Sequence, residues 1–73
     1  MSQKLNTQKH ILKKISAHEL GYEDIIERLY DLGLYEGVEV EIKRKVSFGQ
    51  ITIIQFDQTI LALNQAEMSC LKF

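Results

Sequence analysis

The sequence predicts a mainly β fold, a small barrel of about five strands with one inserted α-helix. Three observations predict it. The hydrophobic period changes in mid-chain: Leu29 and Leu32 stand three apart, as on one helix face, whereas Val38, Val40 and Ile42 alternate with Glu39, Glu41 and Lys43. Gly33 and Gly37 bracket that change, and glycine accepts the positive φ of a helix stop or a tight turn. Short segments rich in β-branched residues then follow one another across short connections. So small a set of strands buries an open sheet poorly. Curling hides both the apolar face and the edges, so the expected architecture is SH3-like.

The elements follow in order. Residues 1–8 are polar and are expected to fray, with Leu5 as anchor. His10 to Ser16 reads as a first strand, with Ile11 and Ile15 on one side and Leu12 on the other. Ser16 to Gly21 is a connection; Ser16 and Glu19 have capping-box spacing, but Gly21 places the helix start later. Tyr22 to Leu32 is the one helix the period supports. Ile25, Ile26, Leu29 and Leu32 form its apolar stripe, bordered by Tyr22 and Tyr30, with Glu23, Asp24, Glu27 and Asp31 on the wet face. Val38 to Lys45 and Ile51 to Phe56 are strands. Phe48-Gly49 lies between them, where glycine suits a hairpin and the phenylalanine is expected to cap the barrel. Asp57-Gln58 makes a second hairpin into Thr59 to Leu63. Asn64 to Met68 forms a single helical turn. Ser69 to Phe73 closes the fold as a strand, with Leu71 and Phe73 on one face and Cys70 on the other.

At 73 residues the chain reads as one domain, residues 1–73. One cysteine excludes an internal disulfide, so packing must carry the fold. Nine Lys/Arg against ten Asp/Glu leave a net charge of -1, without the basic excess of a nucleic-acid module. No apolar run approaches the roughly 20 residues that span a bilayer, and no direct membrane insertion is expected. The first residues lack the apolar run of a secretion signal, and the lone thiol suits a reducing compartment; a cytoplasmic location is expected.

The segment from Arg28 to Val40 resembles the FeoA family, small cytoplasmic partners of the bacterial ferrous-iron transporter FeoB. The resemblance rests on Arg28-Leu29, Leu32-Gly33-Leu34, Gly37 and Val38-Glu39-Val40. It continues through Phe48-Gly49, Ile51 to Ile54, Leu61-Ala62-Leu63-Asn64 and Gln65-Ala66-Glu67, and so covers roughly residues 9–73. Asn64 stands where the family carries arginine, and the hairpin lacks the usual prolines. The resemblance implies a non-enzymatic adaptor, without cofactor, that docks on the cytoplasmic part of FeoB and supports or regulates ferrous-iron uptake. The alternatives are a regulatory module of the kind found in metal-dependent repressors, or a nucleic-acid-binding small barrel.

The residues offer candidate sites of several kinds. Leu29, Tyr30, Leu34 and Tyr35 make a candidate partner-binding patch, since tyrosine joins a large apolar area to a polar tip. Lys43 and Arg44, with Lys45, Lys13 and Lys14, form a basic cluster that would suit an acidic partner; nucleic acid is disfavoured. An exposed strand edge is a candidate surface for a homo-oligomer. No His, Cys or carboxylate pair has the spacing of a zinc site, which leaves His18 and Glu19 as weak metal candidates only. Cys70 sits among apolar residues as a small hydrophobe. Gly33, Gly37 and Gly49 are spaced for turns, not for a phosphate-binding loop, and no nucleophile or acid-base motif surrounds the serines and threonines.

Overall fold

The computed structural model describes residues 8–17 and 20–73. Its elements are β1 (Gln8–Ile11), β2 (Lys14–Ile15), α1 (Glu23–Asp31), β3 (Glu39–Val46), β4 (Ile51–Phe56), β5 (Thr59–Asn64), α2 (Gln65–Ser69) and β6 (Leu71–Lys72). The strands form two antiparallel sheets, one in the order β1-β3-β4-β5 and the other pairing β2 with β6.

The expected first strand is one passage of chain that changes partner. β1 pairs with β3 from Gln8↔Ile42 to Ile11↔Glu39. At Leu12 and Lys13 the chain leaves that sheet: the Leu12 N–H donates to the Val38 carbonyl at 2.8 Å and the Lys13 N–H to the Lys72 carbonyl at 2.7 Å. The break resets the alternation. Leu12 and Ile15 are therefore both buried and Ile11 is exposed, whereas simple alternation put Ile11 and Ile15 together against Leu12.

β4 shows why the larger sheet has one dry face. Thr52, Ile54 and Phe56 are buried, and Ile51, Ile53 and Gln55 are half-buried. Across the tight β4–β5 ladder, from Ile51↔Asn64 to Phe56↔Thr59, Leu63 joins the buried row. The two-residue connection takes its positive φ at Asp57 (52°), one of the few side chains that tolerate it. In β3 the register slips between Ile42 and Arg44, which leaves Lys43 as the extra residue of a bulge.

The core gathers Leu12, Ile15, Leu29, Leu34, Val38, Val40, Ile54, Phe56, Leu63, Cys70 and Leu71 from nearly every element. Cys70 and Leu71 are buried side by side because Cys70 closes α2 in a helical conformation instead of standing in the last strand. Phe48, expected to cap a barrel, is instead fully exposed at the tip of the β3–β4 hairpin.

Candidate partner-binding surface

The end of α1 is a Schellman motif. Leu32 is the cap, and Gly33 follows at φ 104°. The Gly33 N–H donates to the Tyr30 carbonyl at 2.9 Å and the Leu34 N–H to the Leu29 carbonyl at 3.2 Å. That pair of bonds satisfies two helix-terminal carbonyls and brings the residue after the glycine back over the helix. Leu34 consequently packs with Leu29 in the core, at 1% and 0% exposure.

This geometry divides the candidate patch. Leu29 and Leu34 face inward and have no surface to offer a partner. Tyr30 and Tyr35 remain outside at 44% and 48% exposure. The signal for the split lies in the sequence: an apolar residue two past the cap, with glycine between, is the one that contacts the helix.

The chain next turns through Tyr35 to Val38, where the Val38 N–H donates to the Tyr35 carbonyl at 3.2 Å. Gly37 supplies a φ of 99°, the positive value that the third residue of a type II turn requires. Its own N–H donates to the Leu12 carbonyl at 2.7 Å, which ties the turn to the first strand.

Glu36 organises the exposed side of this corner. Its Oε2 accepts from the Tyr30 hydroxyl at 2.8 Å and from the Ile15 N–H at 3.3 Å. The Tyr30 hydrogen bond, helped by backbone donors and by the Lys14 charge, holds the Glu36 carboxyl below its ordinary range. The same bond, with the carboxylate charge beside it, pushes the Tyr30 phenol up. One carboxylate thus pins a helix tyrosine to β2. Periodicity carries no trace of this contact, which joins residues 21 apart in sequence.

A family model described as the FeoA domain matches residues 6–72. The chain belongs to the FeoA family. No curated protein matches it significantly. Its fold is similar to that of FeoA from Stenotrophomonas maltophilia in complex with zinc, with a TM-score of 0.75 at 24% identity over 94% of this chain and 80% of the other. That protein is described as a procaryotic SH3 domain protein and a candidate activating factor for bacterial ferrous iron transport.

Within this FeoA domain, Asn64 has a structural task of its own. Its Oδ1 accepts from the Glu67 N–H at 2.8 Å, and Glu67 Oε1 accepts from the Asn64 N–H at 2.8 Å. This reciprocal capping box starts α2. The free oxygen of buried Glu67 reaches Arg28 Nε at 3.3 Å and so links α2 to α1. The spacing Asn64-Gln65-Ala66-Glu67 is a capping-box signature, and it marks the start of the final helical turn.

The basic cluster does not converge. Ile11 pairs with Glu39, so Lys13 and Lys14 lie beyond the start of β3, whereas Lys43, Arg44 and Lys45 lie toward its end. At about 3.3 Å per residue the run from Glu39 to Lys43–Lys45 alone covers roughly 13–20 Å, and Lys13 and Lys14 lie farther out still. Lys43 and Arg44 are accordingly separate from the tyrosine corner. Among the described residues no three His, Cys, Asp or Glu side chains cluster to hold a metal ion. His10 lies against Phe73, ring centroids 5.5 Å apart, while His18 and Glu19 fall outside the described residues. No helix among the described residues is long and apolar enough to cross a membrane.

Proposed function

We propose that this chain is a cytoplasmic, non-enzymatic accessory of ferrous-iron uptake that docks on the cytoplasmic part of an FeoB-like transporter through the Tyr30–Tyr35 corner. Membership of the FeoA family supports the transport role. The observation that carries the docking face is the pair of half-exposed tyrosines on a corner fixed by the Gly33 and Leu34 backbone hydrogen bonds and by the burial of Leu29 and Leu34. A preformed aromatic surface binds with little ordering cost. Docking that favours one conformation of the transporter alters transport by the difference in binding free energy between its states.

The test is titration calorimetry of the folded chain against the isolated cytoplasmic region of such a transporter. Wild type binds, and Tyr35→Ala weakens binding by tenfold or more, about 1.4 kcal/mol, with its unfolding midpoint unchanged. Absence of binding by correctly folded wild type at high micromolar concentration removes the docking reading. Equal affinity of wild type and Tyr35→Ala moves the interface to another face.

A further inference from the structure

The β3–β4 hairpin ends in a turn with an unusual residue at its tip. The Gly49 N–H donates to the Val46 carbonyl at 3.1 Å and the Gln50 N–H to the Ser47 carbonyl at 3.1 Å. Three successive residues, Ser47, Phe48 and Gly49, take positive φ values of 56°, 58° and 85°. Such a turn suits Asn-Gly, and a bulky aromatic is an outlier in it. Phe48 is also fully exposed, so no burial within the chain offsets the strain.

The surroundings of the tip are cationic. Lys43, Arg44 and Lys45 are all exposed. Lys43 has one loose contact, 3.8 Å to Glu41, and among the described residues Arg44 and Lys45 form no ion pair. No carboxylate occurs between Glu41 and Asp57, and Asp57 lies at the opposite end of β4. Successive strand residues project to opposite faces, so Arg44, across from Ile53, and Lys45, across from buried Thr52, flank the ribbon on both sides.

The geometry points to a peripheral contact with an anionic lipid bilayer, with Phe48 dipping into the interface and Arg44 and Lys45 held at the level of the headgroups. A plane of negative charge answers cations on both faces of the ribbon at once. A convex tip that carries one apolar side chain fits a soft surface, and an aromatic with a basic collar is the chemistry of interfacial anchoring. This contact is distinct from the tyrosine corner, and its test needs no transporter.

The experiment is co-sedimentation of the full chain with vesicles of phosphatidylglycerol and phosphatidylcholine, against vesicles of phosphatidylcholine alone, over a salt series. Wild type sediments with the anionic vesicles only, and binding falls as salt rises. Phe48→Asn, which keeps a residue tolerant of positive φ, weakens binding by about tenfold, and Arg44→Gln/Lys45→Gln by about tenfold or more. An unchanged circular dichroism spectrum shows that both variants are folded. Equal sedimentation with the two vesicle types, no sedimentation at low salt, or a Phe48→Asn variant that binds like wild type overturns the proposal. So does a tip whose variants lose affinity for a soluble acidic protein or an oligonucleotide while vesicles stay unbound.

Discussion

The Leu34 N–H donates to the Leu29 carbonyl across 3.2 Å, and both side chains lie in the core. The bond and the burial are one device. Gly33 reverses the chain at the end of α1, and the reversal folds the next leucine onto the last buried leucine of the helix. The same reversal leaves Tyr30 and Tyr35 outside.

Leu34→Ala therefore costs about 2–5 kcal/mol, the range for a deleted core leucine, and Gly33→Ala about 1 kcal/mol, because alanine resists a φ of 104°. Tyr35→Ala stays within about 0.5 kcal/mol. Urea denaturation of the three variants measures this. A Leu34→Ala midpoint near that of wild type is incompatible with the buried contact.

The Asn64–Glu67 box makes a second, graded prediction. Asn64→Ala loses the acceptor for the Glu67 N–H and costs about 1 kcal/mol. Glu67→Gln keeps an oxygen for the Asn64 N–H and loses chiefly the attraction to Arg28, whose side chain is 66% exposed; the cost stays under about 1 kcal/mol. Glu67→Ala loses both and costs more than either. Thermal melts rank the three, and a Glu67→Gln variant as unstable as Glu67→Ala contradicts the assignment of the box as the larger effect.

The helix, the strands from β3 onward and the positive-φ glycines were legible because each is a local pattern of period or turn chemistry. The SH3-like fold was legible because many short strands in a short chain have few ways to close. Most of what escaped depends on partners distant in sequence; the split of Leu34 from Tyr35 is the local exception. Lys13 interrupts the apolar alternation but does not show the change of partner at Leu12-Lys13, so Ile11 is grouped with Ile15, when Leu12 is the buried neighbour. Leu34 and Tyr35 look alike as exposed apolar candidates until the Schellman bonds assign one to the core. Glu36 is singled out by no local pattern, since nothing local shows that Ile15 and Tyr30 converge on it. Phe48 reads as a barrel cap because hydrophobic side chains usually find cover.

The Tyr30–Glu36 bond gives the chain a pH dependence of known sign. The Glu36 carboxyl is held below its ordinary 4.5, so its contribution is present above the unfolded value and is lost as pH falls through the folded one. The Tyr30 phenol is raised above its ordinary 10.0, so its contribution is present below that value and is lost as pH rises through the folded one. Tyr30→Phe removes the donor, and its stability loses less on acidification than that of wild type. Urea midpoints from about pH 3 to 7 record the difference. Superimposable profiles for the two proteins mean that the hydrogen bond does not persist in solution.

Phe48→Asn is expected to raise stability, by about 0.5–1 kcal/mol. The folded chain loses no buried contact, since the ring is fully exposed, and the φ of 58° passes to a residue that adopts it more readily. Replacing a buried aromatic costs about 3–5 kcal/mol because it empties a cavity, so a gain here separates an outward tip from a cap. The measurement is the urea midpoint with the slope held equal. A loss of more than about 1 kcal/mol shows that the ring packs against the protein, and the strain argument at the hairpin tip falls with it.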